Sequence, residues 1–347
     1  MTKQLLKILA SILLTSCGIS DNWVSISSQG LPQKDESYND LIFEDSLTGY
    51  IGGNCMIPIG NLKNQSKFIN QTVLYKTKDL GNSWLKIHLD YKGSVSKIFS
   101  FKDTLVVLLQ DAISDSVYIL KSNNIGENWQ ILYANQKNVF IKEIQFINSN
   151  NGFIITNDRD KSFLLKFHSD KWDTLLNLPS NLIHHKIIQN KLFSLITESN
   201  SANSLGVLIT DIYTGEYKKL FFEKPCYITS ITKDENNLYL SADHQNVGKI
   251  FLITSNEIKT YNLRNFSKNI PEKVFVNKNT IIAITCRHED ISILGGSHKI
   301  LISHDNGKTW SLEELPNSLD PKPAFLYKDK FFITSGLQKN SFQIRHL

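Results

Sequence analysis

The sequence feature that most restricts the fold is a hairpin motif that recurs about every 45 residues. Its clearest copy, Ser303–Trp310, reads Ser-x-Asp-x-Gly-x-Thr-Trp and follows the apolar run Lys299–Ile302. In such a turn the Asp305 carboxylate accepts nearby backbone N–H groups, and Gly307 supplies a positive φ. The Trp310 ring is expected to be buried beside the turn, at the start of the next strand. One such hairpin cannot fold alone, so its recurrence decides the architecture.

Two further copies keep most of the motif. Thr77–Trp84 is the second good copy, and Ser122–Trp129 carries Asn124 where Asp is expected. The amide oxygen of Asn124 can still accept a hydrogen bond from the turn. Of the weaker copies, 168–172 is shortened, 211–217 and 254–261 carry Tyr in the Trp position, and 21–23 keeps only the end of the motif. The aromatic positions in chain order are Trp23, Trp84, Trp129, Trp172, Tyr217, Tyr261 and Trp310.

A repeat of this length with about four short strands per unit is typical of a β-propeller. Three predicted strands follow Trp310, around 324–327, 331–334 and 342–345, and their unit lacks a fourth strand. Residues 22–28 form a fourth strand that lacks its three predecessors. The sequence therefore predicts an all-β, seven-bladed β-propeller over residues 22–347, closed by pairing the N-terminal strand with the three C-terminal strands. Closure also removes an exposed edge. A six- or eight-bladed ring and a β-sandwich are the alternatives.

The motif resembles the Asp-box, or BNR repeat, of sialidase-like, sortilin-like and photosystem II assembly factor-like propellers. The resemblance implies that the boxes are structural and cap the loops between the third and fourth strands of each blade. Those loops lie on the face opposite the usual ligand site of such propellers. The box residues are Asp79, Trp84, Asn124, Trp129, Asp305, Gly307 and Trp310.

Sialidase chemistry is not expected. By the same resemblance, a sialidase uses three Arg residues to clamp a carboxylate, and Lys cannot replace their bidentate geometry. This chain has four Arg residues, and one of them, Arg345, lies in a predicted terminal strand. We predict no catalytic residue and no cofactor. A carbohydrate-active hydrolase or lyase is the alternative, and it would need two carboxylates facing each other across a pocket.

The first residues predict export and lipidation. A positive segment, Met1–Lys7, precedes the apolar run Ile8–Leu14, which is too short to span a bilayer. The following Leu14–Cys17 resembles the lipobox of bacterial lipoproteins. That resemblance implies a signal peptide at 1–16, a lipid on Cys17, a tether at 17–21 and, because Gly18 is not Asp, the outer rather than the inner membrane. An ordinary signal peptide with an incidental Cys and a buried N-terminal helix are the alternatives.

Charge and cysteine content exclude several other classes. The formal net charge of +5 falls to about +3 when Lys3 and Lys7 leave with the signal peptide. Lys residues are scattered singly, so we expect no nucleic-acid partner. We also expect a monomeric chain. We interpret Cys55, Cys226 and Cys286 as mostly buried thiols, with one disulfide at most among them.

The loops between the second and third strands of each blade are the predicted binding face, because they converge at the end opposite the boxes. The longest is the predicted loop Gly53–Thr72. His288, Glu289 and Asp290 are neighbours in one loop, which is a weak metal signal, so no metal site is predicted. The candidate binding residues are Asp158, Arg159, Asp243, His244, Arg287, His288 and Glu289.

These observations predict a membrane-anchored lipoprotein propeller that acts as a non-catalytic binding or assembly scaffold for a protein or a glycan. A purely structural or surface-display role is a further alternative. Cys17 lies six residues before Trp23, a tether of about 20 Å at full extension. We therefore expect the box face to lie toward the membrane.

Overall fold

The computed structural model describes most of the chain as β-structure. The described residues are 23–31, 36–62, 65–111, 115–136, 139–158, 161–179, 181–197, 203–266, 268–287, 299–315, 324–334 and 341–347. The predicted signal peptide, the tether and Cys17 lie outside them. No helix within these ranges is long and apolar enough to cross a membrane.

The described strands are antiparallel and fall into units of four. The first unit holds β2 (Glu36–Phe43), β3 (Gly49–Leu62), β4 (Gln65–Thr77) and β5 (Leu85–Lys86). The second holds β6 (Ser94–Phe101), β7 (Thr104–Asp111), β8 (Ser116–Ser122) and β9 (Gln130–Gln136). The third holds β10 (Val139–Asn148), β11 (Asn151–Asp158), β12 (Lys161–His168) and β13 (Lys171–Leu178).

The fourth and fifth units share one long strand, β17 (Tyr217–Lys233). Its first part pairs with β16 and its second part with β18. The fourth unit begins with β14 (Leu182–Ile188), β15 (Lys191–Thr197) and β16 (Ser204–Asp211). The fifth unit continues with β18 (Leu238–His244), β19 (Val247–Ile253) and β20 (Ile258–Thr260).

The sixth unit holds β21 (Asn269–Asn277), β22 (Thr280–Arg287), β23 (Lys299–Ser303) and β24 (Ser311–Glu314), preceded by the 3-10 turn Arg264–Phe266. The seventh unit joins the two ends of the described chain. It holds β25 (Ala324–Tyr327), β26 (Lys330–Thr334), β27 (Ser341–His346) and β1 (Trp23–Ser27). β1 pairs with β27 from Trp23 opposite Arg345 to Ser27 opposite Ser341. The predicted pairing of the N-terminal strand with three C-terminal strands is therefore confirmed.

Apolar side chains between successive units form the core. Tyr50 and Leu74 of the first unit share a cluster with Leu105 of the second, and corresponding clusters join each later unit to the next. The seventh unit packs on the first in the same way. Phe43 stacks on Phe332 with ring centroids 4.2 Å apart, and Ile344 belongs to the same cluster. Each unit thus buries its apolar faces against neighbours rather than within itself.

The predicted loop Gly53–Thr72 is wrong, because β3 and β4 continue as one extended hairpin. Their pairing runs from Gly49 opposite Thr77 to Leu62 opposite Gln65. Pro58, which lacks an N–H, lies at a register shift between Pro58 and Gly60, where a strand tolerates it. The physical reason is that an existing ladder can simply be extended, and each added pair of residues satisfies its own backbone groups.

The first strand of each of the first six units carries a one-residue bulge at the same place, a feature that the sequence pattern did not reveal. A bulge leaves one residue unpaired and turns its side chain in a new direction. The bulged residues are Asn39, Ser96, Lys142, His184, Thr229 and Glu272.

Two of these bulges link neighbouring units. Asn39 Nδ2 donates to the carbonyl oxygen of Val95 at 3.1 Å, and Thr229 Oγ1 donates to the equivalent carbonyl, that of Pro271. The residue after the bulge adds a second link. Asp40 Oδ2 accepts the N–H of Ile98 at 2.9 Å. Polar contacts therefore reinforce the apolar packing between units.

The box turns have dense hydrogen bonding. Asp305 Oδ1 accepts the backbone N–H groups of Lys308 at 3.0 Å and Thr309 at 2.9 Å, and its Oδ2 accepts the Thr309 hydroxyl at 2.6 Å. The Ser303 hydroxyl donates to Asp305 Oδ1 at 2.9 Å and accepts the Gly307 N–H at 2.7 Å. Hydrogen bonds from Thr309 and then Ser303 and Lys308 lower the pKa of Asp305 to about 2.

The other two good copies repeat this geometry with one difference. Asp79 accepts both the N–H and the hydroxyl of Ser83, at 2.8 Å and 2.5 Å. Asn124 accepts the N–H of Asn128 at 3.0 Å through its amide oxygen, and its nitrogen contacts Glu127 instead. The amide thus keeps the backbone cap and loses the second acceptor.

Each box also packs against the chain that follows the fourth strand of the preceding unit. The backbone N–H of Trp84 donates to the carbonyl oxygen of Gln29 at 2.9 Å, and the indole Nε1 of Trp129 donates to the carbonyl oxygen of His88 at 3.2 Å. Trp310 meets the ring of Tyr261 edge to face with centroids 6.1 Å apart. Trp84 is buried, whereas Trp129 and Trp310 are half-buried, and all three lie directly before their strand rather than in it. The box is therefore a contact between units as well as a turn.

Truncating Ile344 tests whether the junction of the termini stabilises the whole domain. Ile344 is 2% exposed, so Ile344→Ala should lower the free energy of unfolding by roughly 2–5 kcal/mol. Its strand partner Val24 is 50% exposed, and Val24→Ala should cost less than about 0.5 kcal/mol. Chemical denaturation monitored by circular dichroism measures both. Equal, small effects would contradict a shared core at this junction.

Gly307 tests the contact between a box and the preceding unit. Its φ is +78°, and a Cβ there would lie 2.1 Å from the Tyr261 ring. Gly215 has a similar φ of +76°, but its Cβ would meet Leu176 at an ordinary 3.7 Å. Gly307→Ala should therefore destabilise the protein by roughly 1–3 kcal/mol more than Gly215→Ala, because overpacking adds to the backbone strain. Equal losses in denaturant midpoints would show that backbone strain alone matters.

Candidate functional site

A cleft of about 350 Å³ opens where the fourth unit meets the fifth. It lies at the end of the units that carries the connections between second and third strands, opposite the boxes. Two predicted binding residues, Asp243 and His244, line it. The full lining is Asn203, Lys224, Pro225, Cys226, Asp243, His244 and Gln245.

The uninterrupted course of β17 builds one wall of the cleft. Cys226 pairs with Ser204 of the fourth unit, and the next residue, Tyr227, pairs with Asp243 of the fifth. Pro225 lies beside an irregular part of the ladder with β16, where the register shifts between Ser204 and Gly206. A strand accepts Pro at such a place because no ladder N–H is lost.

A tight turn after β18 builds the other wall. Gln245 and Asn246 both have positive φ, at 53° and 66°, as in a type I′ hairpin turn. Asp243 Oδ1 accepts the Asn246 N–H at 2.8 Å and fixes the turn. His244 Nδ1 lies 3.0 Å from the carbonyl oxygen of Pro225 across the cleft, so Nδ1 carries the proton and Nε2 of the neutral ring is an acceptor.

Cys226 is a structural thiol in the floor of the cleft. Its side chain is buried, and this burial raises its pKa to about 11, against a smaller opposite effect of the Lys249 charge. The thiolate that a nucleophile needs is therefore scarce at neutral pH. In the described part of the chain Cys55, Cys226 and Cys286 form no disulfide, and Cys226 and Cys286 are buried, as the sequence interpretation expects.

The cleft offers groups for recognition. Lys224 is an exposed cation, Asp243 is a half-buried carboxylate, and His244 and Gln245 add an imidazole and an amide. Together they donate and accept hydrogen bonds and offer charge of both signs within a few residues. This combination suits a polar, extended ligand whose own groups alternate between donors and acceptors.

The structure gives less information on the other predicted binding residues. Asp158 ends β11 and pairs with Lys161, and Arg287 ends β22 and pairs with Asn269, but their side chains lie outside the described residues. Arg159, His288 and Glu289 also lie outside the described residues. Within the described ranges, no group of three or more His, Cys, Asp and Glu residues could hold a metal ion.

The sequence did not indicate Lys224, Pro225 and Cys226 as site residues. They lie where the fourth strand of one unit gives way to the first strand of the next, and the predicted binding face comprises only the loops between second and third strands. The signal that could have found them is the run Tyr217–Lys233, which contains no Gly and no Asn or Asp turn residue. A continuous strand was therefore possible there.

Comparisons with known proteins identify the fold. No family model and no curated protein matches the sequence. Among solved structures, YCF48 bound to D1 peptide matches with a TM-score of 0.64 and 12% identity, over 94% of this chain and 97% of that chain. The β-propeller domain of the Trilobed protease from Pyrococcus furiosus matches with a TM-score of 0.59 and 11% identity, over 90% and 94% of the two chains.

An acylaminoacyl peptidase in complex with a chloromethyl ketone matches with a TM-score of 0.61 and 10% identity. The match covers 90% of this chain but only 51% of the peptidase. At such low identities the likeness establishes the fold alone. The chain is an all-β protein whose structural neighbours are β-propellers.

Proposed function

We propose that this chain is a non-catalytic, seven-bladed propeller that binds an extended segment of a protein partner in the cleft between its fourth and fifth units. The observation that carries the proposal is the cleft itself, where Asp243 and His244 meet Lys224 on the long strand β17. A glycan is the other ligand class that polar groups of this kind can recognise, and it serves as an outcome of the test below.

The seven-bladed ring is inferred from the packing of the units. Each unit shares an apolar cluster with the next, and the seventh shares one with the first through Phe332 and Phe43. A cyclic order of contacts of this kind is what a closed propeller requires. The pairing of β1 with β27 supports the same closure, because it joins the two ends of the chain within one sheet.

The structural comparisons support a peptide as ligand. YCF48 was solved with a D1 peptide, and its chain corresponds to this one almost throughout. The peptidase neighbour, by contrast, is about twice as long as the matched region. A propeller that binds a segment of another protein is therefore a documented use of this architecture at this size.

A peptide library displayed on phage, panned against the full chain, tests the proposal. The double variant Lys224→Glu and His244→Ala should weaken binding of the selected peptides by about tenfold or more, because each of the two substitutions removes a polar contact at the cleft. Lys218→Glu is the matched control, since it makes the same charge change on the same strand outside the cleft. Surface plasmon resonance measures the affinities, and those of the Lys218→Glu control should stay within about twofold of the unmodified chain.

Two outcomes would contradict the proposal. Peptides that bind the double variant as tightly as the unmodified chain would place the site elsewhere. Selective binding on a parallel glycan array, with no peptide enriched in panning, would replace the protein partner by a carbohydrate.

We further propose that a lipid on Cys17 anchors the propeller in the cell envelope, at the outer rather than the inner membrane. The tether of 17–21 leads to Trp23, which pairs with Arg345. At that end of the seventh unit, the N–H of Leu347 donates to the carbonyl oxygen of Asp329. This is the end of the units that carries the boxes. A short tether at this end supports an orientation with the boxes toward the bilayer and the cleft away from it.

Fluorescence quenching by spin-labelled lipid measures this orientation. A dye on Asn82→Cys, in a box turn, should be quenched more strongly than a dye on Gln245→Cys, at the cleft, because both positions are exposed but lie at opposite ends. In a Cys17→Ser background the difference should disappear. Stronger quenching at Gln245 would reverse the orientation, and unchanged quenching in the Cys17 variant would contradict the lipid anchor.

A further inference from the structure

The outer edge of the fourth unit is a regular strand that pairs on one side. β17 pairs with β16 from Tyr217 opposite Thr210 to Phe221 opposite Gly206, over five successive residues without a bulge. In the described part of the chain this stretch has no second pairing partner, because β18 pairs with the later part of β17. We call Tyr217–Phe221 the outer edge strand.

Most other units protect the same position against pairing with another chain. The fourth strands β5, β20 and β24 have two, three and four residues, and such short edges offer few backbone groups. The fourth strands β9 and β13 are longer, but a register shift interrupts the ladder of each. β1 is the other described fourth strand that pairs over five residues without a shift. The outer edge strand therefore keeps a regular ladder edge that most units lack.

Alternate residues of the outer edge strand direct their backbone groups away from β16. The N–H of Asp211 donates to the carbonyl oxygen of Glu216 at 2.8 Å, so these two residues form a hydrogen-bonded pair. Hydrogen-bonded and non-hydrogen-bonded pairs alternate along an antiparallel ladder, so the pairs of Tyr217, Lys219 and Phe221 are non-hydrogen-bonded. The N–H and C=O groups of these three residues therefore point outward, where an added strand would use them.

The side chains of the same three residues suit a protein partner. Tyr217 is 65% exposed and Phe221 is 63% exposed, and aromatic residues are enriched at protein interfaces. Lys219 lies between them on the same face, with its Nζ 5.6 Å from the centre of the Tyr217 ring. Lys218 lies on the other face, where its Nζ is 3.5 Å from the carbonyl oxygen of Asn256 in the fifth unit. One face thus offers two exposed rings with a cation between them.

The charges along this strand favour an acidic partner. Over Tyr217–Lys224 there are three Lys residues and one Glu residue, Glu223. A residue directly opposite Lys219 in an added strand has its Cβ about 5 Å away, and opposite charges at that distance stabilise the pair. The same Lys residues oppose pairing with a second copy of this chain, because both edges then carry the same excess charge.

We propose that the outer edge strand binds an extended, acidic segment of another protein as a fifth strand of the fourth unit. The segment pairs its backbone with the outward groups of Tyr217, Lys219 and Phe221. It places an acidic side chain opposite Lys219 and apolar side chains against the two rings. In this mode of recognition the main-chain hydrogen bonds supply affinity and the side chains supply specificity. No residue of the outer edge strand lines the cleft, so this surface is a second one and does not depend on peptide binding in the cleft.

A fluorescein-labelled heptapeptide with blocked ends, Thr-Ile-Val-Glu-Glu-Ile-Thr, is the probe for antiparallel addition. Fluorescence anisotropy with the full chain measures its affinity. Lys219→Pro should weaken binding by about tenfold or more, because it removes an outward N–H while the ladder with β16 loses no donor. Lys219→Thr keeps that N–H and loses the charge, so it should weaken binding by about fivefold or less. Circular dichroism checks that both variants fold.

Two further comparisons separate the backbone from the charge. N-methylation of the first Glu of the probe, whose N–H faces the outer edge strand, should abolish binding. N-methylation of the Val of the probe, whose N–H faces solvent, should change the affinity by less than about threefold. Lys219→Glu should weaken binding by about fivefold or more, because it places like charges opposite each other. Lys218→Glu makes the same change on the other face of the strand and is the matched control, with an effect of about twofold or less.

Several outcomes would overturn the proposal. One is that the probe does not bind at millimolar concentration, and another is that it binds Lys219→Pro as tightly as the unmodified chain. Binding that is lost in His244→Ala and kept in Lys219→Pro would place the probe in the cleft instead. Self-association of the unmodified chain in analytical ultracentrifugation, lost in Lys219→Pro, would replace the acidic segment by a second copy of the chain.

Discussion

The packing of one four-stranded unit on the next is the interaction on which the whole structure depends. A single unit of short strands has two apolar faces and cannot bury either of them alone. Here each face is covered by a neighbour, and the faces of the first and seventh units cover each other through Phe43, Phe332 and Ile344. The pairing of β1 with β27 holds those two units in place, because it builds the last sheet from both ends of the chain. Stability is therefore collective: a defect at one junction weakens the support of both adjoining units.

The boxes contribute to this same packing. A turn motif is usually described by its internal hydrogen bonds, which Asp305 indeed forms in full. Its Gly and Trp, however, lie against the chain that leaves the preceding unit, as Gly307 and Trp310 do with Tyr261. The three good copies of the motif each make such a contact between neighbouring units. In these copies the motif stabilises the packing between units as well as its own turn.

The sequence predicted the features that are local or that follow from counting. The strands, the box turns and the pairing of the termini depend on residues close in sequence or on a regular period, and the structure bears these out. The hairpin of β3 and β4 was missed because Pro58 and Gly60 are loop residues by composition, while their pairing depends on the opposite strand. The continuous course of β17 and half of the cleft could not be predicted for a related reason, because Pro225 fits a strand only where the partner strand is irregular beside it. The bulges could not be predicted because the contacts that Asn39 and Thr229 make are with a neighbouring unit, which is distant in sequence.

The bulge of the first strand shows how one position of the repeat makes different contacts in different units. Asn39 and Thr229 show what the bulge of a first strand does when it serves the fold: a short polar side chain reaches the next unit. Lys142 and Ser96 occupy equivalent bulges but bond within their own units, Lys142 to Ser162 Oγ and Ser96 to the carbonyl oxygen of Leu108. Such a link is not needed at every junction, because the apolar clusters between the third, fourth and fifth units already hold those units together. A repeat fold can thus vary this position from unit to unit without losing the packing between units.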